Sequence, residues 1–286
     1  MALTFAFIGN RSDVGQLLPA AHRELLVQSA LPGQANQGLA WGVGFFRTDE
    51  VLLRRRPAES RSPFYLADEL NELRCHSLLA HICHARSGAL RTETTPPLRF
   101  GHMLFACEGA APHLGVLRES LTSSLPQFLR SHLKGDTFTE LACSLFLAEL
   151  PLPELERTWA RPALPVSGTL SPGAMRDALR RAFTKLDGFT EAHGVERFVG
   201  TMWVNTGENV LVAHRRGPVG VRVFQGGNEL SQMVKTDSTA PASLGLSHFT
   251  TLIGGVASLP SGWESIPDDT ILTADRAQAP TFEALG

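Results

Sequence analysis

The 286-residue chain is poor in lysine, tyrosine and cysteine, and each scarcity narrows its chemistry. Lysine occurs only at Lys134, Lys185 and Lys235, so arginine supplies nearly all the positive charge. The 26 basic residues almost balance 28 acidic ones, which leaves no global field toward nucleic acid or an anionic membrane. Tyr65 is the single tyrosine, and no aromatics interleave the basic runs Arg54–Arg56 and Arg180–Arg181, so base stacking has no platform. Those runs read as solvated edges, where charge discourages strand-to-strand aggregation. Neither a GxGxxG loop nor a Walker-type phosphate loop is present. Cys75, Cys83, Cys107 and Cys143 are scattered without a CxxC pair. The opening MALTFAFIGN lacks the basic flank and long apolar core of a secretory signal, and no apolar run reaches membrane-spanning length. Together these absences predict a cytoplasmic protein with reduced thiols and with neither a nucleic-acid nor a membrane partner.

What is present is a series of clear secondary-structure patterns. MALTFAFIGN alternates apolar residues from its first positions, as a strand does. Strands are also predicted at LAWGVGFF (39–46), VLLRRR (51–56), HSLLAHICHA (76–85) and MLFACEG (103–109). Helical spacing marks 14–29, 65–73, His113–Ser123, 127–133 and Thr137–Leu150. A Pro-rich link near 151–171 leads to a long helix at Pro172–His193, with Ser171 as its N-cap and Pro172 in its first turn. Strands return at FVGTMWVNT, NVLVAHR, VGVRVFQ, FTTLIGGVAS and TILTAD. The segment 226–246 is the expected mobile loop. Strands, then helices, then strands predict an α+β protein with helices packed on antiparallel sheets, forming a single domain over 1–286.

Several segments, in order, resemble class II (N-terminal-nucleophile) glutamine amidotransferases. The likeness is to the small stand-alone branch that includes ergothioneine-pathway γ-glutamyl hydrolases. MALTFAF matches the starting strand, and GLAWGVGFF stands where that family has Gly-Asp-Gly-Trp-Gly. LLAHICHARSG, TETTPPL, FACEGAAPHLGVLRESL, LKGDTFTELACSLFLAEL and ASLPSGWESIPDDTILTAD follow in sequence. The resemblance implies a four-layered αββα sandwich of two antiparallel sheets between helices. It also implies that the nucleophile position, a cysteine exposed on removal of the initiator methionine, is held here by Ala2, whose methyl attacks nothing.

The same resemblance assigns the rest of the pocket. Cys83 stands in place of the arginine that grips the substrate carboxylate. Glu108 and Gly109 occupy the Asn-Gly pair that builds the oxyanion hole, and a carboxylate there repels a developing oxyanion. Pro96 replaces a histidine, Phe138 replaces the aspartate that holds the substrate amine, and Leu39 replaces another aspartate. Asp136 lies two residues from Phe138. Trp41, Gly42, Gly88 and Gly109 keep the family's residues around the pocket, whereas Arg86 stands where the family has a small Thr lining the same cavity and is expected to pair with Glu108. His81, Glu140 and Trp263 survive as scaffold.

Cys75, His76, His81, Cys83, His84, His102 and Cys107 gather on two neighbouring strands, but their spacing matches no zinc pattern, and no metal or cofactor is expected. Cys83 as a substitute nucleophile is the lesser option, because buried thiols are mostly inert. The sequence therefore predicts a non-catalytic amidotransferase-like protein that works by binding, with a protein partner and room for a small ligand. Two alternatives are an active amidotransferase or γ-glutamyl amidase using another route, and a metabolite sensor with a remodelled pocket.

Overall fold

The computed structural model describes residues 2–9, 37–47, 50–57, 73–86, 90–110, 113–159, 170–225, 248–254, 256, 258–259 and 261–286. Two antiparallel sheets stack face to face. The first strand, β1 (Ala2–Gly9), shows why: Leu3, Phe5 and Phe7 point to one apolar cluster and Ala6 and Ile8 to another. Alternation of this kind buries both faces of a strand at once, so the strand belongs inside a sheet rather than at its edge.

β1 is indeed central. It pairs with β4 (Ser77–Arg86) on one side and β10 (His248–Gly254) on the other. With β2 (Gln37–Arg47), β3 (Glu50–Arg56), β9 (Val219–Gln225) and β11 (Glu264–Ser265) they form seven strands in the order β11-β9-β10-β1-β4-β2-β3. The second sheet has six strands in the order β13-β12-β8-β7-β6-β5. These are β5 (Leu98–Phe100), β6 (Met103–Ala110), β7 (Val199–Asn205), β8 (Asn209–Arg215), β12 (Thr270–Asp275) and β13 (Thr281–Ala284).

Helices cover the outer face of the six-stranded sheet: α1 (Leu114–Ser124), α2 (Gln127–Arg130), α3 (Phe138–Glu149), α4 (Leu152–Trp159) and α5 (Pro172–Ala192). In α5, Met175, Ala178, Leu179, Ala182, Phe183 and Leu186 recur at helical spacing and are buried. The Ser171 hydroxyl accepts a hydrogen bond from the Ala174 amide at 3.4 Å, with proline in the first turn, as the sequence predicts. The helix–sheet core unites these residues with Phe105, Phe146, Met202 and Val204. The outer face of the seven-stranded sheet carries Leu3, Phe5, Trp41, Val43 and Trp263. The helices expected at 14–29 and 65–73 lie outside the described residues, Leu73 excepted, as does the loop expected at 226–246.

Three features depart from the sequence reading. The stretch read as a Pro-rich link opens with α4, because Pro153 falls in the first turn, where a missing N–H costs nothing. β13 is held in register partly by ion pairs from α5: Arg176 to Glu283 at 2.9 Å and Arg180 to Glu283 at 2.7 Å. Arg180 and Arg181 are thus engaged with carboxylates, Arg181 reaching Glu149 at 3.2 Å, rather than simply solvated. Within the Arg54–Arg56 run, β3 is an edge strand, but Arg55 turns inward and its Nε donates to the Pro97 carbonyl at 3.1 Å.

Candidate functional site

At one end of the sandwich the two sheets part around a cavity of about 670 Å³. Strand register brings its walls together. Ala2 lies opposite Cys83 across the β1–β4 pair, and Ala40 flanks Cys83 from β2. On the facing sheet Glu108, Thr201 and His214 form a row across β6, β7 and β8. Ala2, His81, Cys83, Glu108 and Thr201 all line the cavity, with Pro96, Leu90 and Val256 as apolar walls. The turn joining β8 to β9 closes the rim through Arg216, Gly217 and Pro218. Arg216 takes a left-handed conformation, φ 58°.

Two glycines make this end possible. Gly109 has φ 128°, and a Cβ there meets the Val199 carbonyl oxygen. A Cβ on Gly42 collides with the Pro96 carbonyl, so glycine lets the 92–97 loop lie against β2. Arg55, the partner of Gly42 on β3, braces that loop through the Pro97 carbonyl.

Glu108 is 7 % exposed, and its Oε1 has no hydrogen-bond partner. Burial pushes the carboxyl up to about 8, and Thr4, through its hydroxyl and main chain, offsets only part of that shift. The Thr4 hydroxyl also bonds His81 Nδ1 at 2.8 Å, and burial takes the His81 imidazole down to about 4. Burial raises the Cys83 thiol to about 12 and the Cys107 thiol well above its ordinary value. Beyond Thr201, whose hydroxyl lies 3.2 Å from His214 Nδ1, the His214 Nε2 faces Asp268 at 3.3 Å without hydrogen-bond alignment. Burial lowers the His214 pKa despite that carboxylate. Among the described residues no three His, Cys, Asp or Glu side chains gather as metal ligands do.

Of the positions picked out in the sequence, Ala2, Cys83, Pro96, Glu108 and Gly109 converge on this cavity. Phe138 turns into the helix layer, its ring 4.9 Å from Phe198, while its neighbour Thr139 lines the cavity. Asp136 is on the surface, paired with Arg118 at 2.6 Å. Trp41 packs on the outer face of its sheet. Glu140 secures the start of α3: its carboxylate accepts from the Lys134 and Gly135 amides at 2.8 and 3.0 Å and from the Thr137 hydroxyl at 2.9 Å. Gly88 and the side chain of Arg86 lie outside the described residues, and the expected Arg86–Glu108 pair with them. Sequence reasoning did not single out Arg216, Thr201 or Val256; the RRGP turn between two apolar strands was the one available signal for Arg216.

No family model matches the chain, and no curated protein matches its sequence. Solved structures do match its backbone. One is a glutamine aminotransferase class-II domain protein from Silicibacter pomeroyi, with a TM-score of 0.58 and 15 % identity over 99 % of this chain and 98 % of that one. A second is a predicted glutamine amidotransferase from Pseudomonas aeruginosa, with a TM-score of 0.54 and 13 % identity over 96 % and 98 %. A third is the glutamine phosphoribosylpyrophosphate amidotransferase of B. subtilis, at TM-score 0.55 and 11 % identity; this chain is covered over 99 % but spans only 49 % of that one. At these identities the likeness is one of fold. No helix among the described residues is long and apolar enough to cross a membrane.

Proposed function

We propose, from a chain with the class II glutamine amidotransferase fold, that this protein is a non-catalytic relative that acts by binding. One observation carries the reading: where β1 enters the cavity, the side chain presented is the methyl of Ala2, with Cys83 beside it and Glu108 on the facing sheet. A hydrolase of this type needs an activated nucleophile and donors aimed at a developing oxyanion. Cys83, the one thiol next to Ala2, is held protonated by burial at neutral pH, and the nearby His81 has its Nδ1 committed to Thr4. Glu108 supplies an acceptor, or when protonated a single donor, where the reaction needs preorganised donors.

The cavity itself favours small-molecule binding as part of this role. Its volume of about 670 Å³ falls within the range of ligand pockets, and its walls are mainly apolar with few polar groups. A protein partner that reads the occupied state completes the proposal. The test is direct: purified protein is incubated with glutamine and with γ-glutamyl peptides, and ammonia and glutamate are measured. No release above the buffer rate is expected, either from the native chain or from Ala2→Cys. A single missing oxyanion donor is worth about 10²–10³ in rate, so a restored thiol alone leaves the variant inert. Turnover by the native protein overturns the reading; turnover by Ala2→Cys alone shows that the rest of the pocket remains competent.

A further inference from the structure

Among the described residues, the space between the sheets holds a buried charge-bearing group that the binding reading leaves without a task. Glu108 lines the cavity while being more than nine-tenths buried, and its Oε1, itself buried, is unpartnered. Native proteins pair buried carboxylates or have them neutralised, because an unmet acceptor forfeits its hydration without return. Around it the chain offers Thr4 from β1, His81 and Cys83 from β4, Cys107 from β6 and Thr201 from β7. None of these side chains is a cation, although the chain's own α-ammonium acts on Cys83 in the same wall. The cationic side chain that the described cavity wall does contain is Arg216, which is exposed at the rim.

We propose that the cavity binds a small ω-amino acid, its ammonium group held by Glu108 at the buried end and its carboxylate facing Arg216 at the rim. This rests on the non-catalytic reading of the same site. An ammonium supplies the donors that Glu108 lacks, as a charge-assisted hydrogen bond in a low-dielectric site. The apolar walls of Leu90, Pro96 and Val256 suit a methylene chain between the two ends. Arg216 disfavours a ligand that is only cationic and favours one whose outer end is anionic, so the two residues together select for charge separation.

Binding of this kind is linked to pH. The ammonium needs Glu108 ionised, whereas burial keeps that carboxyl protonated until about pH 8, so binding expels a proton. His81 and His214 are already neutral above pH 6.5, and the Cys83 and Cys107 thiols stay protonated to far higher pH. Affinity therefore rises toward tenfold per pH unit between about pH 6 and 8 and then levels.

The experiment is calorimetric titration of the full chain with β-alanine, 4-aminobutyrate and 6-aminohexanoate, alongside butylamine and butyrate, at pH 6, 7 and 8. At least one ω-amino acid is expected to bind, more tightly at pH 8, with butylamine weaker and butyrate silent. Glu108→Gln, which keeps the side-chain shape, should cut affinity at least tenfold while leaving the thermal transition cooperative. Arg216→Ala, at an exposed position, should reduce the best ω-amino acid to the level of butylamine. If none of the three binds, or if Glu108→Gln binds as well as the native chain, the proposal fails. Binding of butyrate that weakens as pH rises also overturns it, because Glu108 is then acting as a protonated donor to an anion. Hydrolysis assays on the same samples separate failure here from failure of the non-catalytic reading: the first leaves glutamine intact, the second consumes it.

Discussion

The two ends of the space between the sheets handle buried polarity differently. At the closed end Asn205 is tied in through its Oδ1, which accepts from the Ser77 hydroxyl at 2.9 Å and from the Gly207 amide at 2.8 Å; Ser77 also reaches the Phe7 carbonyl, and the buried Asn205 Nδ2 has no partner. Between the ends, Ala6, Ile8, Leu104, Ala106, Trp203 and Val212 form an apolar block. At the open end Glu108 faces a cavity with one oxygen unmet. The same strands run through both ends, so the contrast is one of side chains rather than of architecture. A buried polar group answered by the chain holds the sheets together; one left unanswered beside a cavity is available to something else.

The comparison breaks most visibly at the apolar block. Trp203→Ala should cost about 3–5 kcal/mol, because this fully buried ring leaves a void between two sheets that cannot close over it. Urea unfolding measures the loss, and a change below about 1 kcal/mol shows that the sheets are not packed as described.

At the closed end, Asn205→Ala strands the Gly207 amide, leaves the Ser77 hydroxyl only the Phe7 carbonyl, and should cost about 1–3 kcal/mol without altering ligand binding. Equal loss of stability and of ligand affinity would show that the two ends are not separate.

The open end is sharpened by pH. The folded-state pKa of Glu108 lies above that of an unfolded glutamate, so between roughly pH 4.5 and 8 the native state holds the extra proton. Stability contributed by that protonation is complete below pH 4.5 and is lost as pH climbs to 8, by at most about 1.4 kcal/mol per unit. Glu108→Gln should flatten this slope in chemical-denaturation curves recorded across the window. A slope already absent in the native chain would mean that a cation such as Arg86 holds Glu108 ionised. The smallest effect is expected at the brace: Arg55→Met removes the hydrogen bonds to the Pro97, Thr92 and Glu93 carbonyls, the last two of them solvent-exposed, and should cost about 1 kcal/mol.

Much of the framework was legible because it is local. The alternation in ALTFAFIG, the Ser171–Pro172 start of α5 and the Thr137–Glu140 capping box are each contained in a few consecutive residues. α4 escaped because two prolines masked an amphipathic turn, and β13 because four residues ending the chain carry little pattern and lean on Arg176 and Arg180. In the site, the convergence of Ala2, Cys83 and Glu108 was reached through family resemblance, since nothing in their spacing brings them together. Thr139 was missed in favour of Phe138 by one residue, which on a helix is a rotation of about 100°. Arg216 was missed because its place at the rim follows from the pairing of β8 and β9 with different sheets, which no short window contains.

The central position of β1 also has a temporal side. Its residues leave the ribosome well before those of either neighbour, since Thr4 pairs with His81 on one side and with Gly254 on the other. At about 5–20 residues per second, the second of these neighbours is made on the order of ten seconds or more after the strand itself. Through that interval a segment built from Leu3, Phe5, Phe7 and Ile8 has one unoccupied edge. Nascent copies on a polysome are thus exposed to mutual strand pairing, and slower synthesis of the stretch between β4 and β10 prolongs the exposure.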